Sequence, residues 1–412
     1  MSRSSLVSQA ALSTAGVLVQ GLARFAYTVL IGRFLGASEL AHVSAWLALA
    51  LILSLLWPTG AANAASHFLA HSRASGHTPQ HVLSLIARSF WLSSLGMVVI
   101  GVPIACLWLG ASLLDGLFVA LLIVAYSGYI LTRGIEMGLG RVARVAWWDI
   151  ISSLVTMTLL IVVLVSGAST LLLLPITIGY AVFGVQTWIT ASRGHQHLDQ
   201  AVLVPPREVY RLAGWNSLGL LASNGLIQLA MVFVFIVETP DQAGQFAAAM
   251  SLATPASMLA QAISQVLIPR FSEWNVEDAV SSRHRFRMVL LAVTGLLTVA
   301  FGVVWALSDW IVLLFFGPDF APASPLLRLL LGGVYVFSIG LIASSYLITT
   351  GRTAQATVAS LLGFAVGILV MLAGLLWWPG SLAACYGVLA GYVVGAALTV
   401  VLSLRAKRAP RP

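Results

Sequence analysis

The chain has 412 residues, of which 59% are hydrophobic and only 8% are charged. A soluble domain carries about 25% charged residues, so this composition excludes an ordinary water-exposed surface. The net charge of +8 comes from basic residues scattered singly between apolar runs, which is not a nucleic-acid-binding pattern, and we expect no nucleic acid partner.

Apolar runs of about 20 residues, the length that crosses the hydrocarbon of a bilayer, recur along the whole chain. They predict an all-α integral membrane fold with about 12 transmembrane helices. In chain order these lie near 9–33, 41–62, 87–108, 112–132, 146–166, 170–191, 213–237, 244–268, 288–307, 325–349, 355–377 and 383–404. The apolar run 309–316 is too short to span and is expected at the membrane interface.

The distribution of arginine predicts the orientation. With a cytoplasmic N-terminus, nearly all of the 21 Arg and Lys residues fall in cytoplasmic segments, as the positive-inside rule requires. Arg33 and Arg328 lie on the opposite side, and Arg24 lies inside the first span. We therefore expect a multi-pass protein of the inner (cytoplasmic) membrane with both termini in the cytoplasm.

The two halves of the chain resemble each other. Residues 21–26 (GLARFA) align with 225–230 (GLIQLA), and Gly140-Arg141 precedes the fifth predicted span as Gly351-Arg352 precedes the eleventh. Six spans per half make this a parallel repeat, in which substrate binds between the halves. The predicted domains are a bundle at 1–191, a cytoplasmic linker at 192–212, a second bundle at 213–404 and a basic tail at 405–412.

Four motifs carry a family resemblance. They are Arg24-Phe25 followed by 30–36 (LIGRFLG) and Glu39, then 242–249 (QAGQFAAA), 263–272 (ISQVLIPRFS), and 313–323 (LLFFGPDFAPA) followed by 326–330 (LLRLL). In this order the chain resembles the polysaccharide flippases (Wzx-like) of the superfamily that also contains the MATE drug exporters and the lipid II flippases. The resemblance implies two six-helix bundles around a central cavity lined with positive charge.

Arg24 lies about fifteen residues into the first span, where a charged side chain costs several kcal/mol and usually faces a cavity or a partner. We interpret it as a contact for the pyrophosphate of a polyprenyl-linked sugar, because guanidinium binds phosphate in a forked geometry. The alternative is a snorkelling or structurally paired arginine. Five amides would bind sugar hydroxyls or, alternatively, hold helices together: Gln20, Asn224, Gln228, Gln261 and Gln265.

Five further arginines are candidate head-group contacts: Arg33, Arg133, Arg141, Arg270 and Arg328. Interfacial anchoring is the competing interpretation for Arg33 and Arg328. The positive-inside rule already accounts for Arg133, Arg141 and Arg270.

No Asp, Glu or His is expected near the middle of a span. Asp149 begins the fifth predicted span, and Glu136 falls in the loop before it. This counts against a proton-coupled drug exporter, which needs a protonatable group at depth. In the predicted cytoplasmic loop 63–86, four histidines at 67, 71, 77 and 81 are a weak metal signal in a solvated segment. No nucleotide, metal or catalytic motif is present, so we expect no cofactor, no metal and no enzyme activity.

These features predict a flippase that translocates a polyprenyl-(pyro)phosphate-linked oligosaccharide to the outer leaflet by alternating access, for polysaccharide export. The alternatives are a MATE-type cation or drug exporter, a lipid II-type flippase and a non-transporting membrane scaffold. The expected partners are the anionic lipid-linked glycan, membrane lipids, and a polysaccharide polymerase with glycosyltransferases.

Overall fold

The computed structural model describes residues 3–74, 80–193, 205–277 and 279–405. Within these ranges the chain forms helices and turns and contains no strand. Most of the predicted linker, nearly all of the basic tail and the histidine at position 77 lie outside them. The fourteen α-helices are α1 Arg3–Leu35, α2 Ala37–Leu56, α3 Pro58–Ala74, α4 Gln80–Trp108, α5 Leu113–Gly138, α6 Val142–Ser166, α7 Leu174–Arg193, α8 Pro206–Val237, α9 Pro240–Glu277, α10 Ala279–Ala306, α11 Ser308–Phe315, α12 Ala323–Thr349, α13 Thr353–Gly374 and α14 Gly380–Arg405.

Eleven segments of the described chain are long and apolar enough to cross a membrane. They confirm the predicted all-α, multi-span membrane architecture and correspond to eleven of the twelve predicted spans. The remaining one, at 244–268, lies within the continuous helix α9, which is not among the eleven. This helix carries polar residues along its length, such as Gln245, Thr254 and Gln261, and they lower its hydropathy.

The second predicted span and the loop after it differ from the structure. Instead of one helix over 41–62 and a loop over 63–86, the chain forms α2, which ends at Leu56, and α3, which begins at Pro58. Proline suits the first helical position because its missing N–H would be unbonded there. The following alanine-rich stretch favours helix, so the segment that contains His67 and His71 is helical to Ala74.

The contacts divide the chain into two compact units. Unit 1 comprises Met1–Tyr27 and Ala45–Leu221, and unit 2 comprises Thr28–Ser44 and Ala222–Pro412. Helices α1, α2 and α8 therefore each contribute residues to both units. The two bundles predicted from the sequence order remain a prediction, and the contact-based units differ from them chiefly by assigning residues 28–44 to unit 2.

The same pairs of helices pack in both units, as the sequence repeat predicts. In unit 1, α5 packs against α3, α4 and α7, and α7 also packs against α6. In unit 2, α12 packs against α9, α10 and α14, and α14 also packs against α13. Helices α5 and α12 correspond to the fourth predicted span of each half of the chain. Each is thus the central helix of its unit.

The turn that follows each central helix is also repeated. Gly140 and Gly351 have φ values of 75° and 78°, a left-handed conformation that favours glycine. In both turns the residue after the glycine forms an equivalent backbone hydrogen bond. The N–H of Arg141 donates to the carbonyl of Glu136, and the N–H of Arg352 donates to the carbonyl of Leu347, each at 2.9 Å. The repeated Gly-Arg motif therefore ends a helix in the same way twice.

Candidate functional site

A group of polar side chains is buried among α1, α5 and α6 in unit 1. The hydroxyl of Tyr129 on α5 lies 2.5 Å from Oε1 of Gln20 and 2.9 Å from Oδ1 of Asp149. Because a phenol has one proton, Tyr129 donates to one of these acceptors at a time. The Tyr129 hydroxyl therefore lies between Gln20 on α1 and Asp149 on α6, the helix of the fifth predicted span.

Asp149 is fully buried and is paired with an arginine. Nε of Arg133 donates to Oδ2 of Asp149 at 3.4 Å. Arg133 follows Tyr129 by four residues, so both side chains leave the same face of α5. Helix α1 comes close at this point because Gly16 has no side chain, and a Cβ there would lie 2.8 Å from Oδ2 of Asp149. The pairing compensates two charges that would be costly to bury alone.

One hydrogen-bond donor of the Arg133 guanidinium is not used by the protein groups around it. Its Nη2 is buried and has no hydrogen-bond partner in the part of the chain that the structure describes. Buried donors are almost always hydrogen-bonded, so an unpartnered one requires an explanation. A guanidinium presents its donors as a fork that matches carboxylate and phosphate oxygens. Arg133 can therefore bind an anionic group while it remains paired with Asp149.

Three tyrosines surround this network. The rings of Tyr126 and Tyr129 lie 5.0 and 5.1 Å from that of Tyr180, and the ring of Phe183 lies 4.9 Å from that of Tyr129. Tyr126 is only partly buried, so part of its ring is accessible. Aromatic faces of this kind pack well against apolar surfaces and keep a polar hydroxyl at one end.

The charge of Arg24 reaches two of the same tyrosines. Its positive charge acts on Tyr126 and Tyr180, and the charge of Arg133 also acts on Tyr126. Arg24 is partly buried and forms no ion pair or hydrogen bond within the described ranges. The charges of two guanidinium groups, one from α1 and one from α5, thus both reach one tyrosine. Two guanidinium groups and the carboxylate of Asp149 together give the network a positive net charge.

The structure brings together three of the eleven residues singled out from the sequence: Gln20, Arg24 and Arg133. Arg141 lies elsewhere in unit 1, exposed, with Nη1 3.5 Å from Oε1 of Glu136. Glu136 is in the last turn of α5, because this helix continues to Gly138 and not only to 132. The expected position of Glu136 in a loop was therefore wrong.

The other predicted amides belong to unit 2. Nδ2 of Asn224 donates to Oγ of Ser223 at 3.0 Å, and Nε2 of Gln261 lies 3.5 Å from Oγ of Ser257. Gln228 is partly buried, and its Oε1 has no hydrogen-bond partner among the described residues. Gln265 lies on α9, with its side chain outside the described part of the chain. Their role in binding sugar remains a prediction.

Arg33 and Arg328 contact groups of unit 2. Nη1 of Arg33 donates to the carbonyl of Leu314 at 2.6 Å, at the C-terminal end of α11, where a cation is favourable. Arg328 is paired with Asp309, with Nη2 2.6 Å from Oδ2. Arg270 is exposed on α9. A role of these three in contacting head groups remains a prediction.

Sequence reasoning missed the central carboxylate and the tyrosines. Asp149 lies two turns inside α6, because the helix begins at Val142 and not near 146. The chain buries this charge by pairing it with Arg133. Asp149 lies in the first third of α6, so the expectation that no acidic group or histidine lies near the middle of a span stays a prediction. The available signal was Tyr129, near the end of the fourth predicted span, and Arg133, four residues later and just beyond that span's predicted end. Among the described residues, no group of three or more His, Cys, Asp or Glu side chains could hold a metal ion.

Comparison with known proteins places this site in context. A family model described as "Polysaccharide biosynthesis protein" matches residues 6–275. No curated protein sequence matches the chain. Among solved structures, the chain is similar to the lipid II flippase MurJ in an inward closed conformation, with 15% identity and a TM-score of 0.70 over 95% of this chain and 87% of that one.

Two further structures show the same architecture. One is a multidrug resistance MATE family transporter of the MOP superfamily in an inward-facing conformation, with 15% identity and a TM-score of 0.66 over 93% of each chain. The other is the eukaryotic MATE transporter AtDTX14, with 14% identity and a TM-score of 0.66 over 97% of this chain and 96% of that one. At these identities the likeness shows the fold alone.

Proposed function

Because the chain belongs to the family of polysaccharide biosynthesis proteins, we propose that it is a flippase for a polyprenyl-(pyro)phosphate-linked oligosaccharide. The sugar head group moves from the cytoplasmic to the outer leaflet by alternating access, while the polyprenyl tail remains in lipid. The protein resides in the inner membrane with both termini in the cytoplasm and acts without enzymatic chemistry. It works beside a polymerase and glycosyltransferases that consume and produce its substrate.

One observation carries this proposal: two guanidinium groups, both within candidate membrane spans of unit 1, act on the same tyrosine. Arg24 has no anionic partner in the described chain, and Nη2 of Arg133 is buried without a hydrogen bond. Both charges act on Tyr126. A phosphate or pyrophosphate supplies the oxygens that these donors lack, and charge-assisted bonds of this kind are about twice as strong as neutral ones.

The groups around the two arginines suit the rest of the substrate. Tyr126, which is partly exposed and packs on the buried Tyr180, provides an aromatic side chain for a sugar, and Gln20 provides an amide. The amides of unit 2, Asn224 and Gln228 among them, remain candidates for further sugar hydroxyls. The proposal therefore assigns the anionic linkage to arginine and the neutral sugar to tyrosine and amide side chains.

A second candidate function is a cation-coupled exporter, such as a MATE-type drug exporter. The buried carboxylate of Asp149 favours it, because a protonatable group within a membrane helix can couple transport to an ion. Arg133 argues against it, since a permanent cation already occupies the position beside Asp149 where a transported cation would bind. The positive net charge of the network likewise suits an anionic substrate better than a cationic drug.

The test of the flippase proposal is the fate of lipid-linked sugar in cells that lack the protein. We expect the lipid-linked oligosaccharide to accumulate on the cytoplasmic face and to be cleared when the wild-type chain is restored. Arg24→Ala should lower the clearance rate about ten- to hundredfold, the effect of one lost charge-assisted hydrogen bond. Arg24→Lys should retain part of it, because the charge remains.

Arg88→Ala is the matched control, since Arg88 is exposed on α4 and far from the site in sequence. It should clear the substrate at the wild-type rate at equal protein level. Normal clearance by Arg24→Ala would refute the role of Arg24. If cells without the protein accumulated no lipid-linked sugar and instead became sensitive to cationic drugs, the second candidate function would replace the first.

A further inference from the structure

A groove lies between α10 and α12 in unit 2, and none of its lining residues belongs to the polar network described above. It encloses about 210 Å³ and is lined by Phe301, Gly302 and Trp305 on α10 and by Leu331 and Gly332 on α12. The groove exists because two glycines face it. A Cβ added at Gly302 would meet nothing within 4 Å.

The chemical character of the groove changes along its length. At one end the hydroxyls of Thr298 and Tyr335 lie 2.8 Å apart in a hydrogen bond. The middle, around Phe301, is apolar. At the other end lies Trp305, seven residues further along α10, which is about 10 Å of helix. The guanidinium of Arg328 lies over the Trp305 ring, with its carbon 5.4 Å from the ring centre.

The charged end of the groove carries both signs of charge. Arg328 donates from Nη2 to Asp309 at 2.6 Å and from Nε to Oγ of Ser308 at 2.7 Å, while Ser324 donates to the other carboxylate oxygen of Asp309. The side chains of Arg328 and Asp309 are 35% and 71% exposed. An accessible cation, Arg328, and an accessible anion, Asp309, thus lie beside each other at the Trp305 end of the groove.

We infer that this groove is a binding site for a zwitterionic phospholipid of the phosphatidylethanolamine type. One acyl chain lies along Phe301 and Gly302, the phosphate contacts Arg328, and the ammonium group contacts Asp309. Neighbouring apolar side chains are exposed, with Val299 67% and Val303 52% accessible, as expected of a surface that faces lipid. Phosphatidylglycerol lacks the amine and would offer Asp309 no cationic partner.

This inference does not rest on the proposed transport function, and its test measures lipid binding alone. The full chain is reconstituted with equal amounts of phosphatidylethanolamine and phosphatidylglycerol, extracted in mild detergent, and its bound lipid is counted by native mass spectrometry. We expect the wild-type chain to retain phosphatidylethanolamine preferentially. Gly302→Leu fills the groove and should lower retention about tenfold, the effect of about 1.4 kcal/mol of binding free energy.

Gly295→Leu is the matched control. Gly295 lies two turns before Gly302 on the same helix, is exposed and would also meet open space, but it does not line the groove. This variant should retain lipid as the wild type does. Equal retention by Gly302→Leu and the wild type would overturn the site.

The head-group assignment has its own variant. Asp309→Asn keeps one oxygen, which can accept from Arg328, and places an amide NH2 that can donate to Oγ of Ser324, so it removes the negative charge at nearly constant shape. We expect the preference for phosphatidylethanolamine over phosphatidylglycerol to fall about tenfold, because the ammonium group loses a charged partner. An unchanged preference in a variant that melts like the wild type would refute the pairing of amine with Asp309.

Discussion

The two units have the same pattern of helix packing but carry different side chains at matched positions. Both centre on one helix, α5 or α12, with the same packing partners and the same glycine turn at its end. The two turns give a register between α5–α6 and α12–α13. In this register Tyr129, Arg133 and Asp149 of unit 1 correspond to Gly340, Ser344 and Ser360 of unit 2.

This difference shows that the buried polar network is not needed to form this pattern of helix packing. Unit 2 forms the same helix pairs with glycine and serine, and Gly340 packs against Ala396 where unit 1 has Tyr129. A buried ion pair contributes little net stability, because desolvation of the charges offsets their attraction. The charges of unit 1 are therefore not required for the fold, which agrees with the binding role proposed for them.

The largest effect is expected for the buried ion pair of Arg133 and Asp149 in unit 1. Arg133→Ala leaves the carboxylate of Asp149 buried without its cation, and it should lower the free energy of unfolding by about 3–5 kcal/mol. The measurement is reversible unfolding of the purified chain in mixed micelles. Ser344→Ala, at the matched position of unit 2, is the control and should change stability by less than about 1 kcal/mol.

A double variant sharpens this result. Arg133→Met with Asp149→Leu removes both charges and keeps apolar volume, so it should recover most of the stability lost by Arg133→Ala. If the single and double variants were equally unstable, lost packing and not an uncompensated charge would explain the effect. A stable Arg133→Ala chain would show that Asp149 reaches water.

A smaller effect is expected at the hydroxyl that links α1 to α6. Tyr129→Phe keeps the ring packing but leaves Gln20 and Asp149 without their shared donor, and it should cost about 1–3 kcal/mol. Tyr126→Phe is the control, since the Tyr126 hydroxyl takes no part in these bonds. Equal melting temperatures for the two variants would argue that the Tyr129 hydrogen bonds are replaced by water.

The smallest effect is expected for the exposed pair of unit 2. The hydrogen bond from Ser324, and then Arg328, lower the pKa of Asp309. A carboxylate whose pKa is lower in the folded state stabilises the fold at neutral pH and loses this contribution as pH falls through the folded pKa. The melting-temperature difference between the wild type and Asp309→Asn should thus be small at pH 7 and vanish in acid.

Salt gives the control for this last experiment. Added salt at neutral pH should shrink the same difference, since exposed charges are screened. A difference that persisted in both acid and high salt would mean that Asp309 acts through packing and not through its charge.

Much of the fold was predictable because each signal is local in the chain. Apolar length predicted the spans, and the Gly-Arg pairs at 140–141 and 351–352 predicted a repeat that both turns display. The errors arose where a competing local rule applied. Pro58 begins a new helix where one continuous span and then a loop were predicted, and α5 continues past 132 to include Glu136.

The candidate site was only partly predictable. Arg24 and Gln20 stood out because polar side chains within an apolar span are costly wherever they point. Asp149 did not stand out, because its burial depends on Arg133 of a different helix, and the tyrosines are as common in lipid-facing belts as in binding sites.

By itself, the sequence determined that this chain is an all-α membrane protein built from a repeated set of helices, because hydropathy and turn chemistry act over a few residues. Only the tertiary structure decided which charges meet. Partners such as Asp149 and Arg133, or Asp309 and Arg328, lie on different helices, and their distance and burial follow from how those helices pack.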